Sequence, residues 1–331
     1  MNQKTFKLSI VTTVFKSEKY LKEFNRRIQV EAKKITNHWE VIYVIDGSPD
    51  DSYEILKTLG GPLKIINLSR NIGHHKAIAT GLKYATGDYI FLIDCDLEEP
   101  PEMLLPFWEK MHTASDIDVV YGVQKIRKGS FGEKFFGDLF YRLFNFVSDV
   151  QVPQNLIVIR LLKKKFLQNF LRFNEKEIML GGLWALTGHR QEPFLVEKED
   201  SGETTYNLKV KLKLLISSIT SFSSKPLYFI FLTGLSVFAI SLCYGSFILF
   251  SKIFFNWGTP GYASLIFSIW LLGGLTLLSL GIIGIYLSKM FVEIKNRPLA
   301  LIESTVDHTE MKEYFYDKSS TTESSSASLL P

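Results

Sequence analysis

The stretch FLIDCDLEEPPE, from Phe91 to Glu102, ends a strongly apolar run and then places Asp94, Asp96, Glu98 and Glu99 within six residues. Carboxylates at i and i+2 of an extended segment point the same way. Oxygen-only ligands of this kind suit Mg2+ or Mn2+. Such an ion commonly takes one or two carboxylates and completes its coordination with substrate phosphates. Asp94 and Asp96 are therefore the candidate metal ligands. Glu98 is a candidate to join them directly or through their other ligands. Glu99 and Glu102 are expected in solvent around the Pro100-Pro101 turn, and Cys95 is expected to point into the sheet as a small apolar filler. An Asp-x-Asp triplet alone is common on solvated loops. Directly after an apolar strand it is a stronger sign.

Three further apolar runs precede it, at 8–15, 39–46 and 63–69, with the fourth at 87–94. Amphipathic stretches lie between them. Ser17 is placed to cap the first helix, a second helix starts near Asp50, and a third runs through HHKAIATGLKYA. Strand and helix alternating with short turns predict an α/β fold with a mostly parallel sheet and crossover helices. In such sheets ligands bind beyond the carboxyl ends of the strands. The four ends carry Thr12-Thr13, Asp46-Gly47-Ser48-Pro49-Asp50, Ser69-Arg70-Asn71 followed by Gly73, and Asp94-Cys95-Asp96. Turn chemistry accounts for any one of these; their agreement on one edge points to a site. No G-x-G-x-x-G follows the first strand and no P-loop occurs, so phosphate is not cradled by a glycine loop. His74 and His75 are neighbours on a helix and do not share a face. They are read as a helix start beside the pocket rather than as a metal pair.

The 331 residues carry a net charge of +4, too mild and too dispersed for a nucleic-acid face. Two cysteines, Cys95 and Cys243, give no disulfide framework, in keeping with a reducing compartment. The first fifteen residues lack an apolar signal core, so no cleaved leader is expected. No charged residue occurs over 226–251 or over 253–288. Each run exceeds the roughly 20 residues that cross a bilayer as a helix. A connector with Trp257, Gly258, Pro260 and Gly261 reads as a hairpin turn at the interface. Lys225 precedes the first run, and Lys289, Lys295 and Arg297 follow the second, which puts both outer ends on the cytoplasmic side. Gly274, Gly281 and Ser288 form a small-residue face for helix packing. The expected organisation is a cytoplasmic domain over 1–224, two transmembrane helices at about 226–250 and 263–288 within 225–290, and a cytoplasmic tail over 291–331, disordered at its Ser-rich end. Within the first domain, 129–150 and 207–222 read as membrane-interface helices. The former repeats Phe136, Leu139, Phe140, Leu143, Phe144 and Val147, and the latter carries Lys209, Lys211 and Lys213.

VIDGSPDDS, LSRNIGHHKAIATGL and FLIDCDLEEPPE, in this order and spacing, resemble the family 2 glycosyltransferases of GT-A fold. Within these they look most like the branch that acts on polyprenyl phosphates, which includes dolichyl-phosphate mannose synthases and bacterial undecaprenyl-phosphate sugar transferases. The resemblance covers roughly 6–225 and is compatible with the paired C-terminal runs. It implies a GT-A Rossmann-like domain followed by a two-helix transmembrane hairpin, in the inner membrane of a bacterium. It implies nucleotide-sugar contacts at Thr13, Val14, Asp46, Ser48, Arg70, Asn71, Asp94 and Cys95, with Asp46 at the base and Ile45 in place of a second aspartate. It implies a metal and diphosphate role for Asp94 and Asp96, with Glu98 on the metal side. Asp96, Arg127 and Arg160 fall on its catalytic positions. Departures occur too. TVFKS stands at 13–17 where relatives carry PVYNE, so the glutamate is lost or shifted to Glu18. Lys198 is the nearest cation where relatives have paired arginines, and Val158 replaces an acid.

The implied reaction is attack by an acceptor oxygen on the anomeric carbon of a nucleotide sugar, with a nucleoside diphosphate leaving. A fixed divalent cation stabilises that leaving charge. Hydroxyl acceptors usually also need a general base. In LGGLWALTGHRQEP, 180–193, no acid follows Gly181-Gly182 until Glu192. A phosphate acceptor is already anionic and needs cations instead. Lys125, Arg127, Lys128, Arg160 and Lys198 are candidates, arginine being favoured for bidentate contact. Two alternatives stay open: a glycan or lipid hydroxyl as acceptor, and a non-catalytic membrane scaffold retaining a nucleotide-sugar domain. A homo-oligomer is suggested by the resemblance and the small-residue face.

Overall fold

The computed structural model describes residues 6–124, 153, 155–197, 220, 223, 225–255, 261–308 and 312–315. The four apolar runs form β1 (Leu8–Val14), β2 (Trp39–Ile45), β3 (Leu63–Leu68) and β4 (Tyr89–Leu92). β1 pairs in parallel with β2 and β4, and β2 with β3. Parallel strands covered on both faces read as continuous apolar runs, and every residue of β1 is buried.

The crossover helices are α1 (Glu18–Ile35), α2 (Ser52–Thr58) and α3 (His74–Tyr84). α1 buries Leu21, Phe24, Ile28 and Ala32, the i, i+3, i+7 and i+11 stripe of a helix on a sheet. Each such large side chain removed from water stabilises by about 1.5–3 kcal/mol. Phe24 meets Tyr43 edge-on at 6.2 Å, and the buried Tyr43 hydroxyl donates to Asn25 Oδ1 at 3.0 Å. α3 lies unusually close to the sheet. A Cβ at Gly81 would stand 2.7 Å from Val44 and 2.8 Å from Val11. Ser17 occupies the N-cap position of α1 without capping it; its hydroxyl donates to the Phe15 carbonyl at 3.1 Å instead.

After α4 (Leu104–Met111) the sheet turns antiparallel. β5 (Val119–Gln124) and β6 (Leu156–Lys163) pair with each other, β6 also pairs antiparallel with β4, and β7 (Gln191–Val196) joins β5 in parallel. α5 (Lys164–Phe170) and α6 (Leu180–Leu186) lie between β6 and β7. The far edge is closed by β8 (Ile302–Asp307), antiparallel to β3, and by β9 (Lys312–Phe315), antiparallel to β8. Among the described residues the order is β7-β5-β6-β4-β1-β2-β3-β8-β9. The segment expected as a plain tail over 291–331 thus contributes two strands, because β3 presents an open row of backbone donors and acceptors that β8 pairs.

The second compact unit contains α7 (Lys225–Phe255) and α8 (Tyr262–Ile294). Among the described residues one stretch, Leu271–Ile294, is long and apolar enough to cross a membrane, and a shorter apolar stretch covers Lys225–Val237. The two expected spans at 226–250 and 263–288 therefore fall on two long helices, one of which carries a stretch that meets that measure. Among the described residues, no atom beyond the helix's own nearby backbone lies within 4 Å of where a Cβ at Gly274 or Gly281 would stand. The expected interface helix at 129–150 lies outside the described residues, as does 207–222 apart from Thr220.

Candidate functional site

The carboxyl ends of β1, β2 and β3 surround a cavity of about 310 Å3 lined by Thr13, Phe15, Asp46, Asn71, Gly73 and His74. Its floor is fixed by Asp46, which is 3% exposed. Oδ1 accepts from the Ile72 N–H at 2.7 Å and Oδ2 from the Gly73 N–H at 3.0 Å. Each oxygen keeps a second lone pair, so the carboxylate can hold this loop and still meet a donor in the cavity. Gly47 turns the chain with φ +57°, and a Cβ there would stand 2.3 Å from the Asn71 nitrogen. Only glycine permits that approach. Arg70 and Asn71 are exposed, and of the two Asn71 lines the cavity.

The neighbouring loops are tied by polar side chains. Ser48 Oγ accepts from the Lys16 N–H at 2.7 Å and donates to Asp50 Oδ1 at 2.6 Å. Asp50 Oδ2 accepts from the Glu18 N–H, and Glu18 Oε2 from the Asp51 N–H, each at 3.1 Å. Burial opposes charge on Asp50, but bonds from Ser48, Ser52 and the Glu18 and Ser52 N–H groups outweigh it and hold the carboxyl below its ordinary value. Ser48 and Glu18 thus serve as struts between the β1 and β2 loops. Val14 is fully buried in the core, so its side chain does not reach the cavity.

The Asp-x-Asp triplet lies just past β4, in a turn rather than on extended strand. Cys95 is 2% exposed and its Sγ donates to the Thr13 carbonyl at 3.1 Å, so the thiol faces inward. Burial pushes it up to about 12, and the adjacent Asp94 and Asp96 charges add to the shift. Any donor contact by Cys95 is left to its backbone. The Asp96 carboxylate accepts from the Glu98 N–H at 3.0 Å, and Leu97 between them has φ +63°. Lys16, after β1, has φ +54°. Left-handed backbone at non-glycine residues costs roughly 1–2 kcal/mol each and clusters at functional sites.

His74 links the cavity to the acidic turn. Its Nδ1 lies 3.1 Å from Thr13 Oγ1 and its Nε2 3.6 Å from Asp94 Oδ1. Among the described residues no three His, Cys, Asp or Glu side chains gather into a metal-holding group, so Glu98 does not complete a triad with Asp94 and Asp96. Two partly exposed carboxylates remain, with the intervening thiol turned away. That donor set fits a Mg2+ or Mn2+ ion that takes its other ligands from a diphosphate and water.

Arg160 and Glu99 differ most from expectation. Glu99 is fully buried rather than in solvent, and Arg160 is 1% exposed. The register of β6 sets Arg160 opposite Leu92 of β4 and Tyr121 of β5. Its guanidinium lies 3.3 Å from the Trp184 ring centroid and 5.8 Å from that of Tyr121, and Nη2 donates to the Ile157 carbonyl at 3.5 Å. Among the described residues its Nε has no hydrogen-bond partner. Burial lowers its pKa well below that of a free arginine, opposed by Tyr121 and Glu99. In this arrangement the guanidinium is covered by an aromatic plate, not presented to solvent. Glu102 does reach the surface, paired with Arg27 at 2.5 Å.

Lys125, Arg127, Lys128 and Lys198 lie outside the described residues. Phe15 lines the cavity at 44% exposure although its residue type alone does not mark it; an aromatic directly after a fully buried strand is the signal that does. The acid after the glycine pair, Glu192, is on β7 and bonds the Arg190 guanidinium at 3.0 Å.

Against known proteins, the family described as glycosyl transferase family 2 matches residues 9–185. A Mycobacterium tuberculosis protein described as a glycosyltransferase is 43% identical over 89% of this chain and 87% of its own length. An uncharacterized glycosyltransferase of Bacillus subtilis is 36% identical over 90% and 93%. A prophage bactoprenol glucosyl transferase homolog of Escherichia coli is 28% identical over 90% and 98%. Among solved structures, glucosyl-3-phosphoglycerate synthase from M. tuberculosis, with Mn2+, UDP-glucose and phosphoglyceric acid, aligns at 16% identity and TM-score 0.47, over 66% of this chain and 79% of its own. The strand-end site described above lies within the matched span, and the chain belongs to glycosyl transferase family 2 and is a glycosyltransferase.

Proposed function

We propose that this enzyme transfers a sugar from a nucleotide sugar to a polyprenyl phosphate at the cytoplasmic face of a membrane, inverting the anomeric centre. One arrangement carries the reading: a 310 Å3 cavity at the strand ends, joined through His74 to the paired carboxylates of Asp94 and Asp96. The nucleoside enters the cavity, where Asp46 meets a base donor, Phe15 offers a ring face and Asn71 bonds the ribose side. Asp94 and Asp96 would hold Mg2+ or Mn2+ together with the diphosphate, and such an ion would supply charge neutralisation for the leaving group. The acceptor phosphate oxygen attacks the anomeric carbon from the opposite face. Being anionic it needs no general base. The absence of an acid beside Gly181-Gly182, with Glu192 engaged by Arg190, supports a phosphate over a hydroxyl acceptor. The relatives named as bactoprenol glucosyl transferases, and the apolar stretch Leu271–Ile294, support a lipid carrier. Lys125, Arg127, Lys128 and Lys198 are the cations proposed for its phosphate. Arg160 would join them only with the Trp184 ring displaced.

Membranes holding the full chain, incubated with a labelled nucleotide sugar and undecaprenyl phosphate, should yield a lipid product that releases its sugar in mild acid. A product stable to mild acid, or formed only on a hydroxyl acceptor, overturns the acceptor assignment. Transfer that persists in Asp96→Asn, or without divalent metal, overturns the Asp-x-Asp assignment.

A further inference from the structure

Beyond α8 the chain returns to the glycosyltransferase sheet and reaches the loop that shapes the donor cavity. β8 pairs with β3 from Lys64↔Asp307 to Asn67↔Ser304, then shifts register so that Leu68 faces Ile302. The extra residue, Glu303, is a bulge, and bulges bend a strand and re-aim its side chains and backbone. Here the bend carries the Leu301 carbonyl to the Ser69 N–H, which donates to it at 3.0 Å. Ser69 opens the Ser69-Arg70-Asn71 loop. The same loop is held from its other end by Asp46, through Ile72 and Gly73.

Side chains fasten the bulge on both sides. Glu303 accepts from Asn67 Nδ2 at 3.2 Å, and Ser304 Oγ lies 3.0 Å from the Tyr53 hydroxyl. Ser304 is 2% exposed although its neighbours in sequence are polar. Further along, the His308 N–H donates to the Leu63 carbonyl at 2.9 Å, and Val306 packs on the core. An unattached tail needs none of these contacts. Stability of β3 accounts for the ladder, but not for a bulge placed where the strand hands over to the donor loop.

We propose that residues 301–304 are a positioning segment of the donor site: they fix the Ser69–Gly73 loop, and with it the cavity wall at Asn71, so that the chain beyond α8 sets affinity for the nucleotide sugar. This rests on the assignment of the cavity to the nucleotide.

The test uses the full chain in membranes with three changes: Ser304→Ala, Glu303→Ala, and Thr305→Pro, which removes an N–H that faces β9 and forces a proline ring into the middle strand β8 one residue from Ser304. The donor KM should rise on the order of ten-fold in Thr305→Pro, since small displacements of positioning groups have effects of this size or more. The two alanine variants should rise less, and the acceptor KM should stay within about two-fold in all three. Amide exchange at Ser69–Gly73 should quicken in parallel. Loss of Vmax with both KM values unchanged would mean fewer folded molecules and overturns the proposal. Quickened exchange without a change in donor KM overturns it too. If Thr305→Pro does not fold, the alanine variants decide. Asn71→Ala separates the two levels: if it raises donor KM while the tail variants do not, the tail inference alone falls. If neither it nor the tail variants move donor KM, the cavity assignment falls with it.

Discussion

The two edges of one sheet treat their carboxylates in opposite ways. At the amino edge Glu40, near the start of β2, is 9% exposed and closed in by donors from the fold. Oε1 accepts from Ser9 Oγ at 2.5 Å and from Thr86 N and Oγ1 at 3.1 and 2.8 Å, and Oε2 from Lys7 Nζ at 2.8 Å. Burial alone would raise its pKa; bonds from Lys7, Ser9 and Thr86 outweigh that and hold it below 4.5. At the carboxyl edge Asp94 and Asp96 stay partly exposed on a turn with left-handed backbone, beside a cavity. The amino edge spends its charge on cohesion. The carboxyl edge leaves Asp94 and Asp96 within reach of a ligand, and uses Asp46, Asp50 and Glu18 to shape the loops around them.

The sharpest way to break this contrast is Asp96→Asn. Transfer should fall roughly 100- to 1000-fold, as when one charge-stabilising group is removed from an active site, while the unfolding midpoint stays put. Comparable loss of stability would put Asp96 in the same class as Glu40. Asp46→Ala should act on both counts, costing about 2 kcal/mol through two orphaned N–H groups and raising the donor KM; a stability change alone would remove it from the cavity's chemistry. Glu40→Gln should cost about 1–2 kcal/mol at neutral pH with both KM values unchanged. Because the folded pKa lies below the unfolded one, the stabilisation from Glu40 is complete above about pH 4.5 and is lost as pH falls through the folded value. Acid titration of the unfolding midpoint should therefore be shallower in the variant. The smallest effect expected is from Leu97→Gly. Relief of the φ +63° backbone, about 1 kcal/mol, is offset by the packing Leu97 loses against the core, so the unfolding midpoint should move little while a looser acidic turn lowers kcat.

The donor half was legible because its signals are local. Strands buried on both faces show as unbroken apolar runs, and β1 to β4 fall where LSIVTTV, WEVIYVI, LKIINL and YIFL stand. Cys95 was legible from its type, a small apolar side chain between two aspartates, and it turns inward although it sits on a turn rather than on extended strand. The rest depends on partners distant in sequence. Glu99 is charged and sits in a Pro-rich turn, which locally spells solvent; in the fold it is buried and close enough to interact with Arg160 of β6, some sixty residues on. β8 lies more than 230 residues after β3, and IESTVD has no strong apolar alternation of its own. Its strand character is lent by the open edge of β3. The two apolar runs near the C-terminus were legible as long helices, since charge-free length needs no tertiary partner.

Cys95 gives this enzyme a built-in clock. A thiol held at about 12 and sealed between two aspartates reacts with alkylating reagents only when the turn around it opens. Its labelling rate, read apart from that of the exposed Cys243, would therefore time the opening of the acidic turn. A nucleotide sugar and Mn2+ together should slow that rate if they clasp the turn shut, and the slowing can be measured with the sugar acceptor left out, separating donor engagement from the transfer step.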